Sequence, residues 1–233
     1  MIVVKNLVKR FGLKTVLRGV DFQVEPGEFV ALLGSNGTGK TTFLRILASL
    51  SRPTGGNVRI AGCRLPAQAE AVRSRLGFVS HQPLLYGDLT TEENLYFYGR
   101  MYAIPNIEQR ISEVLDMLGL DFHRRDLVRT LSRGMQQRLS IGRAVLHDPQ
   151  VLLFDEPYTG LDQNASVMLD KMLSRVAARG RAVVITSHDL IHIEDLATRY
   201  DILGRGLIVA SSTREKLGRG SLLTFYRQAF QGA

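Results

Sequence analysis

The nine residues GSNGTGKTT, positions 34–42, constrain this chain more than any other feature. They follow the apolar run FVALL and open the apolar-periodic segment TTFLRILASL. Strand, glycine-rich loop and helix, in that order, form the setting in which such a loop folds around an anion. Gly34, Gly37 and Gly39 permit backbone angles that a side chain blocks. Successive N–H groups are then free to point at one phosphate, and the helix start adds its partial positive charge. The candidate phosphate-binding set is Gly34, Ser35, Asn36, Gly37, Thr38, Gly39, Lys40, Thr41 and Thr42. Within it, Lys40 is suited to the β- and γ-phosphates and Thr41 to Mg²⁺.

A metal needs further support, and VLLFDE at 151–156 offers it. Two carboxylates end an apolar strand. Asp155 is a candidate Mg²⁺ ligand, and Glu156 is a candidate base for an attacking water. His188 follows another apolar strand, in VVITSHD. Strand ends of this kind form the ligand edge of an open α/β sheet, where an imidazole can hydrogen-bond a phosphate.

A second anion-binding start stands far from the loop. In LSRGMQQR, residues 131–138, Ser132 is a good N-cap and the following residues have helical spacing. Yet no glycine-rich cradle adjoins it.

The rest of the chain supports a layered α/β fold. VDFQV, FVALL, NVRIAG, LGFVS, VLLF, AVVITS, YDILG and GLIVAS read as strands, and NASVMLDKMLSRVAARG as an amphipathic helix. Buried strands alternating with helices predict a mainly parallel sheet. Residues 83–146 are mostly helical, broken at Pro105 and near Leu131, and predict an inserted helical unit. Net charge is +8, which favours anionic partners. Cys63 is the only cysteine, so a disulfide framework is not expected. The N-terminus carries charge too early for a signal peptide, and no apolar run reaches the roughly 18 residues of a membrane span.

Taken together, these motifs resemble the ATP-binding subunits of ABC transporters, over almost the whole chain. GSNGTGKTT is similar to their Walker A loop and VLLFDE to their Walker B strand with its glutamate. The resemblance implies that Gln82, in SHQP, is the Q-loop residue that senses the γ-phosphate through Mg²⁺ and the attacking water. It implies that GLD at 160–162 is the D-loop, with Asp162 near the nucleotide, and that His188 is the switch histidine. Phe11 sits where the family places an aromatic ring to stack on adenine. LSRGMQQR is similar to the signature motif, in which one subunit's helix binds the phosphate held in its partner's cradle. Ser132 and Gly134 are then the phosphate-binding residues. Arg133 and Met135 replace the usual glycine and glutamine, and a thioether cannot make an amide's hydrogen bonds.

The resemblance implies a P-loop NTPase fold with an antiparallel N-terminal β subdomain. Core residues fall at 1–82 and 147–218, the helical signature subdomain at 83–146, and a C-terminal tail at 219–233. It implies ATP and Mg²⁺ as ligand and cofactor, a second copy of the chain as head-to-tail partner, and a separate integral membrane permease. The expected location is the cytoplasmic face of the cell membrane, through that permease. The wording LSRGMQQRLSIGRAVLHDP is similar to exporter ATPases, in particular the haem-exporter ATPases of cytochrome c maturation. The alternative is a soluble ABC-type ATPase acting on nucleic acid or ribosomes. Such relatives usually fuse two cassettes or insert coiled coils or zinc motifs, and these features are lacking here, so direct nucleic-acid contact is not expected. A catalytically dead regulatory binder is disfavoured by Glu156 and His188.

Overall fold

Period-2 alternation explains how this chain stacks its layers. A computed structural model describes residues 1–177, 180–188 and 190–231. In chain order come strands β1 (Ile2–Phe11), β2 (Lys14–Val24) and β3 (Phe29–Leu33), then helix α1 (Lys40–Leu47). Next are β4 (Gly55–Ile60), β5 (Cys63–Leu65), α2 (Ala69–Arg73) and β6 (Leu76–Val79). Helices α3 (Thr91–Met101), α4 (Ile107–Leu118) and α5 (Arg133–Val145) follow, with two short 3-10 turns between α4 and α5. The chain then runs through β7 (Val151–Asp155), α6 (Gln163–Ala177), β8 (Ala182–Ser187) and α7 (Leu190–Glu194). It closes with β9 (Arg199–Gly204), β10 (Leu207–Thr213), α8 (Arg214–Leu217) and α9 (Leu222–Gln231). The sequence reading carried the α6 helix through residues 178–179, which lie outside the described residues.

Two sheets result. One is antiparallel, in the order β2-β1-β4-β5. The other has the order β10-β9-β3-β8-β7-β6 and is parallel except at its β10 edge. In β3, β7 and β8 every residue is buried, as expected of strands covered on both faces. Alternate residues then serve different layers. Val30, Leu32, Val151, Leu153 and Val184 join α1 and the antiparallel sheet in one buried cluster. Phe29, Ala31, Leu33, Leu152, Phe154 and Ile185 join the opposite cluster, with α6 and the helices of the 83–146 region. Ile111, Leu118 and Leu139 belong to that same cluster, so the helical region shares one core with the sheet. Beyond residue 218, Leu222–Gln231 form α9, anchored by buried Leu222.

His147, just beyond α5, ties the helices to β6. Its ring stacks on Tyr102 at 3.9 Å between centroids and 3° between planes, and Nε2 lies 3.2 Å from the Leu76 carbonyl. That carbonyl accepts only, so Nε2 carries the hydrogen. The buried Nδ1 has no hydrogen-bond partner. Burial pushes this imidazole from 6.5 down to about 4; Arg181 and Arg110 act in the same sense, while the Leu76 carbonyl and Asp148 oppose it. The native protein therefore holds His147 neutral where the unfolded chain protonates it. The stability this group contributes is fully present above pH 6.5 and is lost as pH drops toward 4. The loss from this one group reaches roughly 3 kcal/mol at most. Urea unfolding at pH 7 and pH 4.5 checks this: His147→Gln should lose less stability between the two than the parent chain. Equal losses would assign the acid sensitivity to other groups.

Candidate functional site

The loop after β3 curls back over its own strand end. Gly39 caps α1 with φ 110°, a left-handed angle natural to glycine, and supplies no side-chain hydrogen bond to the first turn. The helix start therefore keeps its N–H donors for an anion. Lys40 is buried, and its Nζ donates to the carbonyls of Gly34 at 2.7 Å and Ser35 at 3.3 Å. The same ammonium lies 3.4 Å from Glu156 Oε1.

Alternation in β7 aims Asp155 at α1, on the same side as Val151 and Leu153. Thr41 Oγ1 donates to Asp155 Oδ1 at 3.1 Å, and Thr186 Oγ1 donates to the same oxygen at 2.9 Å. Burial raises the Asp155 carboxyl above the usual range, and these two hydroxyls pull it back down. A hydroxyl and a carboxylate side by side form a hard-oxygen donor pair that suits Mg²⁺. Among the described residues no group of three His, Cys, Asp or Glu could hold a metal by itself. Thr41 and Asp155 offer two oxygen ligands, and Mg²⁺ commonly completes such a shell largely with phosphate oxygens and water.

Glu156 turns away from the sheet in a left-handed conformation, φ 52°, unusual for a residue with a side chain. Its N–H holds the turn by donating to both the carbonyl and the hydroxyl of Thr186, each at 3.1 Å. The turn brings Glu156 Oε2 within 2.7 Å of His188 Nδ1, and the His188 N–H donates to the same oxygen at 3.2 Å. Carboxylate, imidazole and ammonium thus meet at one point, where a water can be oriented and lose a proton.

These groups face one cavity of about 670 Å³. Asn36 to Thr42, Glu156 and His188 line it, as the sequence predicts for these residues. Lys14, Thr15, Val16, Arg18, His81, Thr159, Arg205 and Gly206 also line it, and sequence reading did not find them. Lys14 and Arg18 come from β2, and Arg205 comes from the β9–β10 turn. The Arg18 N–H donates to the Gly206 carbonyl at 2.9 Å, which joins the two segments. Among the described residues, four cations, Lys14, Arg18, Lys40 and Arg205, therefore surround a space that one carboxylate, Glu156, lines. That balance suits a polyphosphate.

Other expected residues lie elsewhere. Phe11 is not part of the lining; its ring is half exposed, with Lys9 Nζ 4.6 Å from the centroid. Gln82 is exposed and lines no part of the cavity; the residue from its loop that does so is His81. Asp162 caps the start of α6, accepting the Ala165 N–H at 2.8 Å. Ser132 caps α5, its hydroxyl accepting the Met135 N–H at 3.3 Å. Neither Ser132 nor Gly134 lines the Lys40 cavity of its own chain. Met135 packs against the helical core, and the Arg133 guanidinium covers Gly160, where a Cβ would meet it at 2.3 Å.

The family model "ABC transporter" matches residues 17–159, and this chain belongs to that family. It is an ABC ATPase domain, the ATP-binding subunit of an ABC transporter. It is 33% identical over 219 residues to the linearmycin resistance ATP-binding protein LnrL of Bacillus subtilis (strain 168), covering 93% of this chain and 70% of that one. It is 36% identical over 211 residues to the Nod factor export ATP-binding protein I of Paraburkholderia xenovorans (strain LB400), covering 90% and 69%. The solved ATP-binding subunit of an ABC transporter superposes with a TM-score of 0.89 at 31% identity, over 99% of both chains. A dimeric ATP-binding cassette in a post-hydrolysis state, bound to ADP and Pi, gives 0.84 at 27% identity, over 92% of this chain and 99% of that one.

Proposed function

We propose that this chain is the motor of a membrane exporter and works as a head-to-tail pair of copies. The observation that carries this reading is a division of labour. Lys40, Thr41, Glu156 and His188 converge on one cavity, while Ser132 caps α5 and Gly134 lies in its first turn, both outside that cavity. A helix start without its own phosphate is explained by a phosphate on a second copy. The dimeric cassette bound to ADP and Pi supports the pairing.

In this reading Gly34–Thr42 wrap the phosphates, and Lys40 leaves its carbonyl partners for the β- and γ-oxygens. Thr41 and Asp155 hold Mg²⁺, which when bound neutralises phosphate charge. Glu156 takes the proton of the attacking water, and His188 orients it. Residues 83–146 carry the signature and follow the nucleotide, residues 1–82 and 147–218 form the core, and 219–233 are a tail. Asp162, in the D-loop, lies near the nucleotide in this reading. ATP favours the closed pair and hydrolysis releases it, which gives the two states the differential affinity a switch requires.

The names of the relatives, linearmycin resistance and Nod factor export, support export as the direction of transport. The wording LSRGMQQRLSIGRAVLHDP supports haem as a cargo. Among the described residues no helix is long and apolar enough to cross a membrane. In this reading a separate permease carries the cargo path and holds this chain at the membrane's cytoplasmic face. Isolation of the tagged chain from native membranes, with mass spectrometry of what accompanies it, tests the assignment. An integral membrane permease is expected; a ribosome or nucleic-acid complex would overturn it.

The permease needs a surface to grip. Tyr86, Tyr96, Phe97 and Tyr102 are exposed, and Tyr98 is half-buried with its hydroxyl donating to the Leu84 carbonyl at 2.7 Å. Tyr86, Phe97 and Tyr98 pack as a mutual cluster, with centroids 5.0 to 6.2 Å apart. Beside them exposed Leu50 and Leu84 rim a small cleft floored by Phe78 and Arg143. Such aromatic faces with polar tips suit a helix that docks and is carried along. Tyr86→Ala and Phe97→Ala should keep fold and basal ATPase activity, and weaken permease binding by about 1–2 kcal/mol or more. Lower thermal stability with unchanged permease binding would make the cluster part of the core instead.

A further inference from the structure

Glu156 and His188 leave the ends of neighbouring strands β7 and β8, and their 2.7 Å contact depends on how the segments beyond them are held. Glu156 takes φ 52°, a conformation that persists only where its surroundings over-determine it. Thr186 fixes its N–H from the strand side. On the other side the chain runs into Tyr158, whose ring is buried in the core shared with Leu169 and Ile193. The Tyr158 hydroxyl donates to Asp170 Oδ1 of α6 at 2.6 Å. The second oxygen of that carboxylate, Oδ2, accepts from His192 Nδ1 of α7 at 3.0 Å. The His192 ring also stacks on Tyr158, with 4.8 Å between centroids and 11° between planes. One carboxylate therefore ties the turn after Glu156 to the helix after His188. A phenylalanine ring would fill the same space in the core, so packing alone does not call for the hydroxyl.

We propose that Asp170, with Tyr158 and His192 as its two arms, is the positioning residue that sets Glu156 against His188 for hydrolysis. This rests on the reading of Glu156 as the base and of His188 as the residue that orients the water. None of the three described residues lines the Lys40 cavity, so they act on the reaction through Glu156 and His188. Proton transfer needs its partners within hydrogen-bond reach, and a misplacement of about 1 Å costs up to about 10²-fold in rate. Without the shared carboxylate, the Tyr158 turn and α7 lose a common anchor. Glu156 Oε2 and His188 Nδ1 then lose their fixed spacing. The phosphate cradle is carried instead by β3 and α1, and α1 packs in the opposite core. Loss of the anchor therefore falls on the chemical step and spares ATP binding.

Hydrolysis by the full chain with ATP and Mg²⁺ tests this. Tyr158→Phe keeps the ring and removes the hydroxyl; Asp170→Asn keeps the size and removes the shared carboxylate. Each should lower kcat by about tenfold and leave KM for ATP within about twofold. Because the two act as one unit, the double variant should lose no more than Asp170→Asn alone, where independent sites would lose about a hundredfold. In a Glu156→Gln background no base remains to be placed. There Asp170→Asn should change the residual single-turnover rate by less than about twofold. A role in stability alone predicts a different pattern: a lower melting temperature in every background, with kcat per folded molecule unchanged. That pattern, losses that multiply in the double variant, or a rise in KM that accounts for the lost kcat/KM overturns the proposal. Should Asp170→Asn fail to fold, unchanged kcat in Tyr158→Phe overturns it equally. Each of these results leaves the ATPase reading intact as long as Glu156→Gln is inactive; near-normal turnover in Glu156→Gln would overturn both.

Discussion

Glu156→Gln is expected to bind ATP and to fail to hydrolyse it. The carboxylate sits 3.4 Å from Lys40 Nζ and 2.7 Å from His188 Nδ1, on the wall of the cavity and placed to take up a proton. Glutamine keeps the shape and removes the basicity, so turnover should fall by roughly 10²–10⁴-fold. Nucleotide affinity should not fall with it. Removing the negative charge frees Lys40 from its acidic neighbour and leaves a more cationic space for the phosphates. ATP that is held and not hydrolysed should then accumulate in a dimer, visible by size-exclusion chromatography with light scattering. Near-normal turnover in this variant would remove Glu156 from the chemistry. A loss of ATP binding would show instead that the residue is needed to build the cradle.

The parts of this site that sequence reveals are those that lie close together in the chain. GSNGTGKTT is self-contained: strand, glycines, lysine and helix are contiguous, and the structure keeps them so. Asp155, Glu156 and His188 were legible because apolar strands of clear length end at them. Lys14, Val16, Arg18 and Arg205 were not. They reach the cavity because the antiparallel sheet stacks over α1 and the β9–β10 turn abuts β2, and no local pattern marks that contact. Gln82 and His81 show a finer limit. A motif locates the loop, yet which of two adjacent side chains faces inward depends on how the loop leaves β6. Met135 illustrates the reverse case. Its position in the signature suggests a ligand contact, and its place against the helical core accounts for an apolar residue there.

Placing the signature opposite the cradle of a second copy leads to a result that no single-chain site could give. Ser132→Arg puts a long cation at the start of α5 and removes the hydroxyl that caps it. The lost cap costs about 1 kcal/mol, too little to unfold the domain. Ser132→Ala isolates that contribution and should have much the smaller effect. The arginine should block closure on a partner's phosphate, while ATP binding to the monomer persists, because Ser132 does not line its own chain's cavity. Lys40→Ala makes the complementary lesion, with an intact signature and a failed cradle. Each variant alone should trap no ATP when Glu156→Gln is added to suppress turnover. Mixed, they should trap one ATP per heterodimer, at the site formed by the Lys40 of one chain and the Ser132 of the other. The opposite site carries both lesions and stays empty. A cradle and signature acting within one chain would leave every site in the mixture with one lesion, and the mixture would trap nothing. Heterodimers that form and hold no ATP would therefore end the two-copy reading, whatever the activity of the parent chain.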